Sequence, residues 1–176
     1  NKYYIHDNLQ KYLDFCKDEN NSRKFSNTCN SKNIADIISI INTNAYIEWY
    51  TNTKEVTNLS NTMLVNKHNY LPADYAPSDI QNIRTMYAYD GHSIKEEVYD
   101  QFIKMWSAAN KEGLSLIINS SYRTFEDQER IYAINSDDYA SKPGFSEHQT
   151  GLALDIVTPG SIGNDFENTE EFKWLK

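Results

Sequence analysis

Apolar positions recur along this chain with two different periods, and the change divides it near residue 60. Ile34, Ile37, Ile38 and Ile41 stand three and four apart, which predicts a helix with a single apolar stripe. Ser31 is placed to cap that helix, and Asn42-Thr43-Asn44 weakens its end. Leu9, Tyr12 and Leu13 predict a shorter helix before it. Residues 1–60 are otherwise polar and are expected to form an N-terminal helical lobe or lead-in laid over a core, with residues 61–176 as the main domain.

Beyond that point the apolar runs shorten and strands enter. Met63-Leu64-Val65 suits a strand, while Pro72 and Pro77 keep 71–80 non-helical. Ser93-Ile94-Lys95-Glu96 has the form of a capping box. Behind it Ile94, Val98, Phe102 (or Gln101), Met105 and Ala109 line one helix face, which Gly113 stops. Leu114-Ser115-Leu116-Ile117-Ile118 predicts a strand, and Thr124 with Asp127 opens a helix to about Ala133. After a loop over 137–145, Gly151-Leu152-Ala153-Leu154-Asp155-Ile156-Val157 predicts another strand. Its alternation sets Leu152, Leu154 and Ile156 on one face and Ala153 with Asp155 on the other. A carboxylate in such a strand is costly unless it meets water, a partner or a metal, so Asp155 asks for a functional explanation. Asn168 and Glu171 make a second capping box, before a short helix that carries Phe172 and Leu175.

Length and charge narrow the classes. The 176 residues suit a single domain with a real core and a helical appendage. A net charge of −8 argues against nucleic acid or anionic lipid as partner. Thirteen Tyr and three Trp are too many for a disordered chain. No run of 18 apolar residues exists and the first residues are no signal peptide, although a leader removed earlier would leave no trace. Cys16 and Cys29 lack metal-ligand spacing; a disulfide is open to them, but two thiols are the favoured reading.

His148 and Asp155 are the strongest chemical pair. Imidazole and carboxylate suit zinc if Thr150-Gly151 turns the chain between them, but a hydrogen bond closing a loop explains the spacing as well. Arg123 lies just past a predicted strand, where a guanidinium could hold a carboxylate or an oxyanion; pairing with Glu126 or Asp127 at the surface is the plainer alternative. Gln128, one turn on, could face the same place. Glu147 is expected at the surface rather than as a base, and Ser146 can donate to a substrate carboxylate. His6, His68 and His92 are expected to be solvated or to tie loops.

Two strings of residues then stand together: Ser121-Tyr122-Arg123-x-x-x-x-Gln128-x-x-x-Tyr132, and Pro143-Gly144-x-Ser146-Glu147-His148-Gln149-Thr150-Gly151-Leu152-Ala153-x-Asp155-Ile156. They resemble the VanY-like D-alanyl-D-alanine carboxypeptidases, zinc peptidases that also include L,D-carboxypeptidases. Leu64-Val65-Asn66-Lys67 and Leu71-Pro72-x-x-Tyr75-x-Pro77 are similar to that family's entry segment, and 38–50 to its lead-in, so the likeness covers roughly 38–176. The resemblance implies an α+β fold with a central antiparallel sheet flanked by helices. It implies zinc on His148, Asp155 and a second histidine, with Arg123 on the oxyanion and Ser146 and Gln128 helping to hold a peptidoglycan stem peptide. The family's Glu-x-x-His, which brings the base and the last ligand, does not follow Asp155. The sequence is therefore expected to be an inactive fragment of a monomeric, extracytoplasmic enzyme of the bacterial cell wall. A cell-wall-binding module that has lost its base and an L,D-carboxypeptidase are the alternatives.

Overall fold

A computed structural model describes residues 2–24, 29–30, 33–42, 49–89, 91–135, 139–161 and 163–176, with the side chains of 2–8, 21, 24, 42, 163 and 164 left aside. The proposed cap Ser31, the helix-weakening Thr43-Asn44 and the side chain of His6 lie outside the described set. Two compact units divide the chain, one formed by 1–54 with 66–68 and the other by 55–65 with 69–176.

The first unit holds helices α1 (Lys2–Lys17), α2 (Glu19–Lys24) and α3 (Ile34–Asn42). Tyr12 and Ile41 are buried against each other, with Phe15, Cys16, Ile37 and Ile40 around them. The apolar stripe of α3 is thus Ile37, Ile40 and Ile41; Ile34 and Ile38 are exposed, contrary to the predicted stripe. Asn33 caps the helix, its Oδ1 accepting from the Ala35 N–H at 2.9 Å. Cys16 and Cys29 form a disulfide, which corrects the preference for two thiols. Their 13-residue spacing carried no mark of it, because closure depends on where α1 ends rather than on neighbouring sequence.

The second unit is α+β. Past two-residue strands β1 (Lys54–Glu55) and β2 (Asn69–Tyr70), β3 (Ile80–Asn82) pairs antiparallel with β4 (Ser93–Lys95). Helix α4 (Glu96–Lys111) leads to β5 (Ile117–Ser120), then α5 (Phe125–Ala133), a 3₁₀ turn (Glu147–Thr150), β6 (Asp155–Val157), a second 3₁₀ turn (Gly163–Asn168) and α6 (Glu170–Leu175). β5 and β6 pair antiparallel, with an irregularity between Ile118 and Ser120. Ile83, Tyr87, Ala88, Ile94, Tyr99, Phe102 and Ile118 form the core, with Trp106, Leu154 and Ile156 packed on it.

Several predicted boundaries move, each for a backbone reason. Ser93 to Lys95 belong to a strand rather than a capping box: Ser93 pairs with Asn82, and no side chain caps α4. Residues 63–65 do not form the expected strand and carry no regular secondary structure. Leu114 is held by the end of α4, its N–H donating to the Ala109 carbonyl, so β5 starts only at Ile117. The strand expected from Gly151 starts at Asp155, because Gly151 is left-handed (φ 71°) and the Leu152 N–H is taken by Thr150 Oγ1. α6 is capped by Thr169 instead of Asn168, and Glu171 accepts from the Ser115 N–H at 3.1 Å. The Thr124–Asp127 box is present with both reciprocal bonds, and α5 ends at Ala133.

Gly144 ties the return of the 134–145 segment to the body of the unit. Its carbonyl accepts from the Leu71 N–H at 2.8 Å, its φ is 85°, and a Cβ there would stand 2.9 Å from the Leu71 carbonyl oxygen. Backbone cannot yield as a flexible side chain does. Gly144→Ala is therefore expected to destabilise the protein by about 2 kcal/mol or more, from left-handed strain plus the clash. Urea denaturation checks this; an unchanged midpoint would refute it.

Candidate metal centre

The site forms where the end of β5 faces the 147–150 turn. Ser121 follows β5 and is 1% exposed; its carbonyl accepts from His148 Nδ1 at 2.7 Å. The Arg123 N–H donates to the His148 carbonyl at 3.3 Å, so the two segments hold each other twice. The turn is closed by Thr150, whose hydroxyl donates to the Glu147 carbonyl at 2.6 Å. The buried imidazole is thereby fixed, and its other nitrogen is turned to the first residue of β6: Nε2 lies 3.4 Å from Asp155 Oδ2. His148 and Asp155 thus meet across the seven-residue spacing, with the carboxylate exposed and the imidazole buried.

This arrangement has one chemical demand. A carbonyl only accepts, so Nδ1 must carry the proton. In the neutral ring Nε2 is then a lone pair, facing a carboxylate oxygen. Two such electron-pair donors 3.4 Å apart can share one cation between them. Ligands about 2.1 Å from a tetrahedral zinc stand about 3.4 Å from one another, so the pair fits that ion. Among the described residues no group of three His, Cys, Asp or Glu side chains is gathered to hold a metal.

The other candidates divide. Arg123 is half-buried, and its Nε has no hydrogen-bond partner among the described residues. Asp127, offered as its surface partner, instead serves Thr124 and Arg130. Burial lowers the Arg123 pKa, while Asp155, Asp127 and Glu147 oppose that shift. Ser146 is buried at the start of the 147–150 turn. Gln128 is 1% exposed, with Nε2 donating to the Ser141 carbonyl at 2.6 Å and Oε1 unpartnered among the described residues. Glu147 is exposed and lines, with Met63, Leu64, Val65, Leu152 and Leu154, a cavity of about 320 Å³. Sequence reasoning missed Gln149, fully buried with Nε2 shared by the Pro72 and Tyr75 carbonyls, and the role of the Ser121 carbonyl. Main-chain roles leave no mark on residue type.

With this geometry in view, the chain was compared with known proteins. Residues 91–176 match the family model described as VanY: D-alanyl-D-alanine carboxypeptidase. A solved LdcB LD-carboxypeptidase is 30% identical, with a TM-score of 0.63 over 73% of this chain and 68% of its own. The chain belongs to the VanY-like D-alanyl-D-alanine carboxypeptidase family. A vancomycin-resistance D,D-pentapeptidase VanY from a VanB-type cassette, solved as a variant in complex with Zn(II), is 29% identical, with a TM-score of 0.51 over 67% of this chain and 70% of its own. A D-alanyl-D-alanine carboxypeptidase of Enterococcus faecium is 32% identical over 70% of this chain and 43% of its own length. The chain spans less than half the length of the curated relatives it matches. The span matched to the VanY-like model holds Arg123, Gln128, Ser146, His148 and Asp155 together.

The pair also predicts an acid response. The hydrogen bond from His148 holds the Asp155 carboxyl below its usual range, with help from the charges of His148 and Arg123 and from Ser120. A lowered native pKa stabilises the fold above the unfolded value, about 3.9, and that contribution is lost as pH falls through the native value. Wild type and Asp155→Asn should therefore differ in stability at neutral pH and converge in acid. Thermal unfolding against pH checks it; a constant gap down to pH 2 would refute it.

Proposed function

We propose that the chain carries two ligands of a zinc-dependent D,D-carboxypeptidase centre, of the kind that removes the terminal D-alanine from peptidoglycan stem peptides, and that without a base and a third ligand it is inactive by itself. Residues 61–176 are the catalytic part and 1–60 a lead-in. The observation that carries the reading is the pair of electron-pair donors, His148 Nε2 and Asp155 Oδ2, 3.4 Å apart. The zinc-bound VanY relative supports the choice of ion. When bound, zinc supplies Lewis acidity toward the scissile carbonyl and a water.

The remaining steps belong to side chains. Arg123 brings a half-buried guanidinium to the centre, where its charge already acts on Asp155. There it meets negative charge developing on the peptide oxygen, where one donor is worth about 3 kcal/mol. Ser146 helps to hold the peptide, and the buried Gln128 supports that side of the site by holding the Ser141 carbonyl. The likeness to LdcB favours a second reading, an L,D-carboxypeptidase acting on the tetrapeptide stem. Action outside the cytoplasm, at the cell wall, accords with the Cys16–Cys29 disulfide, since such bonds persist in oxidising compartments. Among the described residues no helix is long and apolar enough to cross a membrane. We take the protein to act as a monomer.

Two measurements test the proposal. Zinc titrated calorimetrically into the 176-residue chain should bind weakly, through two ligands, and release protons. His148→Ala should lower that affinity at least tenfold; equal binding by wild type and variant would sink the metal reading.

Turnover of an acyl-D-Ala-D-Ala peptide, measured in a form of the protein that hydrolyses it, should fall about 100-fold or more in Arg123→Ala with zinc content unchanged. Equal turnover by wild type and variant would return Arg123 to a surface role. D-alanine release from pentapeptide and tetrapeptide stems, followed in the same samples, separates D,D from L,D action and hydrolysis from mere binding.

A further inference from the structure

One histidine of the second unit has no part in the proposed chemistry, yet it touches the residue that holds His148. His92 Nδ1 lies 3.1 Å from Ser121 Oγ, and the same oxygen accepts from the Ser93 N–H at 3.2 Å. The Tyr122 N–H donates to the Ser93 carbonyl at 2.9 Å. The peptide unit between Ser121 and Tyr122 is planar and trans, so its N–H and C=O point in opposite directions. One edge is bonded to β4, and the opposite edge presents the Ser121 carbonyl to His148 Nδ1. The plane can turn only if these contacts are given up. His92 is itself anchored just past β3, its carbonyl accepting from the Ile83 N–H at 2.9 Å.

We propose that Ser121 and His92 are positioning residues for the metal centre: their side-chain contact orients the 121–122 peptide, and the Ser121 carbonyl then keeps His148 with Nδ1 protonated and Nε2 directed at Asp155. The chain of contacts runs His92, Ser121, His148, Asp155, and neither of the first two links requires a metal. Ser121 is 1% exposed, so a lost partner there leaves a buried polar group to be satisfied anew. Partners that hold the second nitrogen of a ligating histidine typically govern metal affinity by about 10–100-fold. Burial lowers the pKa of His92, which favours a neutral ring able to accept from the Ser121 hydroxyl.

The inference rests on the metal reading for its consequence but not for its geometry, and the test separates the two. Long-range ¹H–¹⁵N spectra of the 176-residue chain at pH 8 report which ring nitrogen of His148 carries the proton; calorimetry with zinc reports affinity. Wild type should show Nδ1–H alone. Ser121→Ala and His92→Phe should give a mixture of tautomers and an affinity lower by about 10–100-fold. Ser121→Thr, which keeps the hydroxyl, and His92→Asn, which keeps a polar atom near Nδ1, should restore both readings. If Ser121→Ala does not fold, the half-buried His92 pair carries the test. An unchanged tautomer and affinity in folded His92→Phe overturns the positioning role while the zinc reading stands. A tautomer that responds in a chain that binds no zinc supports the positioning role and overturns the zinc reading.

Discussion

The hydrogen bond from His148 Nδ1 to the Ser121 carbonyl organises this centre. It settles which nitrogen of a buried ring keeps its proton, and so which nitrogen meets Asp155. Everything around it can be read as support. β4 lies against the 121–123 segment through Ser93 and against the 147–151 turn through the Lys95 N–H to Gly151 carbonyl bond at 3.2 Å. One short strand thus holds both segments that build the site. That strand is in turn seated by Ile94, fully buried in the core.

The pairing of β5 with β6 solves a second problem. An aspartate at the head of an apolar strand would be expensive inside the core. Ser120 pairs with Asp155 just past the irregularity after Ile118, while Ile118 faces Ile156 and the core. A break in regular pairing lets the strand change what it presents from one residue to the next. The carboxylate ends up exposed and the following residues covered, so the apolar character of 156–157 and the charge of Asp155 do not compete.

Much of this was legible in advance where side chains write their role locally. The Thr124–Asp127 box, the apolar face of α4 and the meeting of His148 with Asp155 follow from spacing, and the strings around Arg123 and His148 carry the family. What was hidden depends on the main chain or on distant partners. Ser93-Ile94-Lys95-Glu96 has the letters of a cap, but pairing with β3 outweighs a capping bond worth about 1 kcal/mol. Thr169 rather than Asn168 caps α6, and Glu171 is drawn instead to Ser115, 56 residues away. The disulfide likewise depends on the path between its ends, which no local pattern states.

The segment that leaves α5 at Ala133 is recovered at two fixed points, Ser141 by the buried amide of Gln128 and Gly144 by the backbone of Leu71. Ahead of both lie Ile134 and Tyr139, each largely exposed. The hydrogen bonds that aim His148 involve neither of these residues, so exchanging Ile134 or Tyr139 leaves those bonds in place.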